Sequence, residues 1–596
     1  MIRRPLRPLA RILRARAEGT DPDLIEAEER AARLMAQRRT ERARAETRLL
    51  LLGLAFVLGF SAVAGRMALL SAAVPVEPRA SVATEPIRAQ RAEIVDRNGA
   101  VLATNIVTHS LYAQPHQMID PRRAADTLAE IFPDIEADAL HTRLTDGRRF
   151  IWIRRSISPE QRQLVHDLGE PGLLFGPRET RLYPNGPVAA HMLGGASFGR
   201  EGVNSAEVIG TAGVELVFED RLRDPSRTDE PLRLSIDLEV QTALEEVLAA
   251  GMEEMTARGA MAIVMEAKTG LIRAMASLPD FDPNFRPALP TSGDPADSPL
   301  FNRAAQGRYE LGSVLKPIAI AQALDAGSVS PTTMIDTRGP MRWGRFTIRD
   351  FRNYGPRLTV EDVIVKSSNI GTARIAVEQG AKAQQDFLKS LGFFQPVPVE
   401  LVEATRATPL LPQRWSELTT MTVSYGHGIA ITPLHLASAY ATLTNGGYRV
   451  QPSIIEPDVA PTPGERVISE RTSAQTRAML REVVVRGSAR QANVPGYEIA
   501  GKTGTADKPL PNGGYARNQV ISTFAAVFPA SDPEYVLLVA LDEPSNRVHG
   551  NAIRTAGYTA VPVTNAVIRR IAPILGMRPS GGVIPEAPLY TLAVNE

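Results

Sequence analysis

Cysteine is missing from all 596 residues. Its absence excludes thiol nucleophiles, disulfides, thiolate metal sites and redox pairs. Histidine is scarce: of eight, the nearest pairs, His109 with His116 and His427 with His435, lack the short spacing of a local metal pair. Neither a metal nor a cofactor is expected. Charge of one sign is also lacking, because 67 basic side chains meet 66 acidic ones for a net +1. No overall field recruits nucleic acid. Aromatics reach only 5%, whereas Gly 45 and Pro 46 are high for a helical bundle and fit a loop-rich mixed α and β protein. At roughly 150 residues per domain, the length suggests about three or four domains.

What is present begins with a basic arm. Residues 1–48 hold 13 arginines against eight acids, and residues 49–65 follow without a charge. Arg66 interrupts the run, residues 67–76 are apolar again, and an arginine near a helix end extends its head to the interface, so a helix of about 20 residues remains feasible. A transmembrane anchor is expected over 49–76. The alternative is a signal peptide, whose charged region would be far too long here, with Ser71-Ala72-Ala73 as the only faint cleavage-like cluster. The basic flank places the N-terminus in the cytoplasm and everything after residue 75 outside it. A large outward body without cysteine suits a bacterial envelope protein that relies on core burial.

Residues 77–230 mix short strands and helices with turn signals such as Asn98-Gly99 and Tyr183-Pro184-Asn185-Gly186, and show no catalytic constellation. A charged linker at 220–230 precedes a second module at 231–578, and 579–596 form a tail. In that module, Ala262-Ile263-Val264-Met265 and Leu271-Ile272-Arg273-Ala274-Met275 flank a turn at Lys268-Thr269-Gly270 and read as a hairpin. Strands are also expected at 522–528 and 535–541, and helices at 314–324, 360–377 and 433–443. Strands at both ends with helices between them predict an α+β fold.

Three short elements carry chemistry. In Gly312-Ser313-Val314-Leu315-Lys316 a serine opens an apolar helix and a lysine follows on the same face. A serine hydroxyl is a poor nucleophile until a base takes its proton, and a lysine serves once its pKa is lowered. The pair alone equally suits a helix cap with a solvated lysine. Downstream, Lys366-Ser367-Ser368-Asn369 contains the chain's only Ser-x-Asn, a second hydroxyl beside an amide that both donates and accepts. By itself it is commonplace. Finally, Ala500-Gly501-Lys502-Thr503-Gly504-Thr505 offers small residues that let a substrate backbone lie along a strand edge. Lys268-Thr269-Gly270 repeats the tripeptide at a turn. Only the later copy completes the order of serine-lysine pair, Ser-x-Asn and Lys-Thr-Gly.

That order resembles the penicillin-binding proteins, and the chain is most similar to the class B, membrane-anchored D,D-transpeptidases of the cell-division (FtsI) type. Arg91-Ala92-Glu93-Ile94-Val95-Asp96-Arg97-Asn98-Gly99 resembles the family's first non-catalytic box, with Ala92 where glycine is usual. Arg181-Leu182-Tyr183-Pro184 with His191 and Gly194, then Gly213-Val214-Glu215, resemble later boxes, as do Tyr425-Gly426-His427-Gly428, Thr432-Pro433 and Asn445-Gly446-Gly447. Leu311 replaces a usual proline, and His427 a common glutamine. The resemblance implies a transpeptidase domain, an antiparallel sheet with helices, on a mixed α/β pedestal. It implies Ser313 as nucleophile, Lys316 as base, Ser367 as proton relay, Asn369 on the peptide amide, and Lys502, Thr503, Gly504 and Thr505 on the terminal carboxylate of a D-Ala-D-Ala stem peptide. The backbone N–H groups of Ser313 and Thr505 would form the oxyanion hole. It further implies acylation by β-lactams, a membrane glycan polymerase of the FtsW type and other division proteins as partners, and an inner-membrane location with a periplasmic catalytic domain. No acidic motif of a glycosyltransferase lies before residue 230. An elongation-type transpeptidase, a D,D-carboxypeptidase and a non-enzymatic division scaffold are the competing readings.

Overall fold

The computed structural model describes residues 9–19, 21–72, 91–201, 206–510, 513–548 and 551–580. The end of the expected anchor, 73–76, and nearly all of the tail lie outside these residues. The chain divides into two units, Met1–Ala83 and Thr84–Glu596.

In the first unit a single helix, α1 (Pro22–Ala72), runs through both the charged arm and the apolar stretch. Among the described residues no helix is long and apolar enough to cross a membrane. One continuous helix thus joins the basic arm to the stretch expected as the anchor. Leu51, Leu52, Leu54, Phe56, Val57, Leu58 and Phe60 are exposed on it.

The second unit begins with the pedestal. Its five-stranded sheet comprises β1 (Ile94–Val95), β2 (Val101–Ala113), β3 (Ile151–Ile157), β4 (Leu173–Leu182) and, from beyond a separate hairpin β5–β6 (Gly195–Glu201, Ala206–Ala212), β7 (Leu232–Arg233). Helices Pro121–Ile131, Ala137–Thr145 and Pro159–Asp167 cover one end, burying Leu128, Leu140 and Val165 with Leu111 and Ile151. Their starts are written in the sequence: Asp120 caps the first, and Ser158 with Gln161 forms a capping box for the third. β7 pairs parallel to β1, so the chain enters the next module directly from the pedestal sheet. The expected linker at 220–230 is partly ordered there as the turns Glu219–Leu222 and Pro225–Arg227.

Three of the pedestal boxes meet in one buried ionic knot. Glu215, fully buried, accepts from Arg91 Nε at 2.6 Å, Arg181 Nε at 2.7 Å and the Tyr183 hydroxyl at 3.2 Å. Arg91 also reaches Glu219 at 2.8 Å. Another box residue, Asp96, accepts from the backbone N–H groups of Asn98, Ala100 and Leu238, joining the pedestal to the following module.

That module is built on a five-stranded antiparallel sheet in the order β10 (Ala500–Pro509), β11 (Tyr515–Phe528), β12 (Tyr535–Asp542), β8 (Gly259–Glu266), β9 (Ile272–Leu278). Alternate residues serve two cores. Val264, Phe524, Val539 and Leu541 pack with α2 (Leu238–Glu254) and α7 (Ala560–Ile574), while Ile263, Ala525, Leu538 and Ala540 pack with α3 (Lys316–Asp325) and α5 (Pro433–Thr444). Burial on both faces explains why these strands read as continuous apolar runs without alternation. Between the outer strands lie α4 (Asn369–Gln379) and α6 (Glu470–Arg486). The expected 8–9 hairpin and the two late strands are present in register, and the α+β architecture follows.

Candidate active site

β10 is an edge strand of the central sheet, and the site is assembled against it. A Cβ on Gly504 would stand 2.3 Å from Leu311 O, and one on Gly312, at φ +65, would stand 2.9 Å from Thr505 O. Two backbones therefore touch here, which brings the Ser313 turn to the Lys502–Thr505 segment. A third backbone joins them: Gly312 N donates to Gly426 O at 3.2 Å, and a Cβ on Gly426, at φ +87, would lie 2.1 Å from Gly312 O. Instead of opening the α-helix as its spacing suggested, Ser313 sits half-buried in a 3-10 turn, Gly312–Leu315, and α3 starts at Lys316. Among the described residues the Ser313 hydroxyl has no hydrogen-bond partner.

Lys316 is fully buried, and its Nζ donates to Ser367 O at 2.5 Å and to Ser367 Oγ at 3.1 Å. Lys502, also fully buried, donates to the same Ser367 Oγ at 3.0 Å and to Thr503 O at 3.0 Å. Burial, then the neighbouring Lys502 charge, hold the Lys316 amine well below the usual lysine range, against a smaller opposing pull from Asp350. Burial alone lowers Lys502 to about 7. The direction is the one a general base requires: the ammonium form of Lys316 is penalised twice, and a neutral amine is accessible.

The expected helix over 360–377 is broken. It is two helices, Val360–Val365 and α4, because Ser367 takes a left-handed φ of +60 and Ser368 then caps α4 by accepting from Gly371 N. This break presents Ser367 to both lysines. Asp350 holds it in place, accepting from Asn369 N at 2.6 Å, Ile370 N at 3.0 Å and the Ser368 hydroxyl at 2.7 Å. Asn369 Nδ2 donates to Arg349 O at 2.9 Å. On β10, Thr503 Oγ1 shares a 2.7 Å hydrogen bond with Ser488 Oγ, and Thr505 Oγ1 accepts from Ala556 N.

At the rim, Glu310 ties two further segments to its own. It accepts from Gly428 N and the Tyr515 hydroxyl, each at 3.0 Å, and lies 3.1 Å from His427 Nδ1. The other copy of the tripeptide is elsewhere: Lys268 is exposed in the β8–β9 turn and pairs with Asp532 at 2.8 Å. Asp350, Ser488, Glu310 and Tyr515 were not found from sequence, since no local pattern marks them.

Comparison with known proteins identifies the family. Residues 260–569 match the family described as penicillin binding protein transpeptidase domain, and residues 86–226 match the penicillin-binding protein dimerisation domain. The chain is 36% identical over 504 residues to the probable peptidoglycan D,D-transpeptidase FtsI of Caulobacter vibrioides, covering 83% of this chain and 82% of that protein. The chain belongs to the class B penicillin-binding proteins of the FtsI type. Similar proteins include the probable peptidoglycan D,D-transpeptidase PenA of Neisseria meningitidis, 33% identical over 84% of this chain and 87% of its own length. Another is the peptidoglycan D,D-transpeptidase FtsI of Escherichia coli, 30% identical over 81% and 84%. In this penicillin-binding protein the departures have local consequences. Leu311 is wholly buried and fills core space beside the Ser313 turn, while His427 sits between Tyr425 and Tyr515, with ring centroids 5.6 and 5.5 Å away.

Proposed function

We propose that this penicillin-binding protein is a septal peptidoglycan D,D-transpeptidase working through a serine acyl-enzyme, and a target of β-lactams. The observation that carries the reading is the convergence of two buried lysines, Lys316 and Lys502, on the one hydroxyl of Ser367. Ser313 Oγ attacks the penultimate carbonyl of a D-Ala-D-Ala stem as Lys316 takes its proton. A C–O bond forms, and the C–N bond to the terminal D-alanine breaks. Ser367 passes the proton to the departing amine. An amine of a neighbouring stem then takes the acyl group, and the proton returns to Ser313. Asn369 holds the peptide amide, and Lys502, Thr503, Gly504 and Thr505 receive the carboxylate along the β10 edge. The backbone N–H groups of Ser313 and Thr505, whose backbones are in contact through Gly312, stabilise the oxyanion by about 3 to 4 kcal/mol per donor.

The apolar stretch of α1 anchors the protein in the inner membrane with the catalytic domain in the periplasm, supported by the bare apolar side chains between Leu51 and Val63. The protein has no glycan-polymerising module of its own in this reading, so a membrane polymerase of the FtsW type supplies strands. Labelling with a fluorescent penicillin tests the chemistry: Ser313 should carry the adduct, and Ser313→Ala should abolish labelling while keeping the fold. Undiminished labelling of that variant would remove Ser313 from the mechanism.

A further inference from the structure

Between α3 and α4 the chain makes an excursion of two small antiparallel pairs, Met334–Asp336 with Arg357–Thr359 and, inside them, Met341–Trp343 with Phe346–Ile348. In the inner hairpin Met341 faces Ile348 and Trp343 faces Phe346, and the alternation of a strand puts all four on one side of the ribbon. Ile348 is buried against Ile370 and Ala373 of α4, with Met341 packed beside it. One step outward the ribbon leaves the core: Trp343 is 39% and Phe346 47% exposed, and Phe351 just beyond is 82% exposed.

Charge is one-sided in this excursion. Residues 334–359 contain six arginines against two aspartates, and both acids are committed. Asp336 pairs with Arg338 and Arg374, and Asp350 holds the start of α4. Arg342, Arg345 and Arg349 have no carboxylate partner among the described residues. The Arg345 guanidinium lies 5.2 Å from the Phe346 ring centroid and that of Arg352 6.0 Å from Phe351.

Exposed ring faces beside unpaired guanidinium groups suit a ligand that carries both flat apolar faces and carboxylates. The hairpin's base is bonded to the site, through Asp350 to Ser368 and through Arg349 O to Asn369. A ligand lying on the hairpin is therefore beside the residues assigned to the stem peptide. Building on the transpeptidase reading, we infer that this hairpin docks the glycan strand that bears the peptide. Pyranose faces lie on Trp343 and Phe346, and a peptide carboxylate pairs with Arg345 in the turn between them.

The test uses the full chain as Ser313→Ala, which cannot turn over, and uncross-linked glycan strands with intact stem peptides. Trp343→Ser with Phe346→Ser, and separately Arg345→Glu, should each weaken strand binding by about tenfold. In chains that keep Ser313, fluorescent penicillin, too small to reach the hairpin, should label both variants at the parent rate. Where the double variant fails to label, the single change Trp343→Ser, at an exposed position, replaces it. Unchanged strand affinity in both sets overturns the inference. So does loss of binding to phosphatidylglycerol vesicles with strand affinity kept, which would assign the patch to a lipid surface. Failure of the parent to label would sink the role of Ser313, while strand affinity would still decide the hairpin.

Discussion

Lys316 and Lys502 approach Ser367 from a helix and a strand, and the proposed mechanism needs them in different states. As a base Lys316 must be neutral, whereas Lys502 must be charged to receive a carboxylate. Burial depresses both, and the Lys502 charge adds to the depression at Lys316. The second-order rate of β-lactam acylation should therefore rise on the acid side as Lys316 loses its proton. It should fall as pH climbs through about 7, where Lys502 becomes neutral. Lys502→Arg should abolish that alkaline limb, since a guanidinium stays charged, even if the absolute rate drops. An unmoved limb in the variant would assign it to another group. Lys316→Ala should slow acylation by about 10²- to 10⁴-fold, and Lys268→Ala, a change at the exposed turn, should leave it alone. Fluorescence-based acylation kinetics reads all three.

At the scale of elements, the break before α4 does the positioning. Asp350→Ala removes the acceptor for two backbone N–H groups and the Ser368 hydroxyl. It should cost about 0.5 to 2 kcal/mol, as lost helix caps do, and slow acylation, with the melting temperature and labelling rate as the measurements. Gly426→Ala should be worse for the site than for the fold, because its methyl group would have to displace the Gly312 carbonyl behind Ser313. Slower labelling with a folded protein is expected. These elements also mark how far the sequence could be read. The paired strands and α5 were legible because apolar runs and helical spacing report burial directly. Ser313, Lys316, Ser367 and Lys502 were legible as residue types in order. The left-handed turn at Ser367 was not, since helical periodicity passes straight through 360–377 and φ has no signature in a serine. Nor was Asp350, whose contacts are with residues 18 to 20 positions away and depend on a hairpin folding back over α4.

For the molecule as a whole, pedestal and catalytic module share one continuous core, in which Ile94, Met192 and Val214 cluster with Met261, Val314 and Leu434. Glu215 is the ionic centre of the pedestal side. Glu215→Ala would leave Arg91 and Arg181 buried without their carboxylate and should cost about 3 to 5 kcal/mol, seen as a lowered calorimetric melting temperature. A melting point within a degree or two of the parent would show that water replaces the carboxylate. The central sheet has a consequence of another kind. In the proposed mechanism its β10 edge offers a ligand main-chain groups beside the Lys502, Thr503 and Thr505 side chains, and a main-chain N–H or C=O has no codon. Point mutations therefore cannot erase the main-chain groups offered to a β-lactam, which imitates the stem peptide, without unmaking the strand. Inherited change in drug affinity has to come from neighbouring side chains, such as Leu311, Asp350 and the Glu310, His427 and Tyr515 rim. Those positions are where sequencing of drug-selected strains should find it.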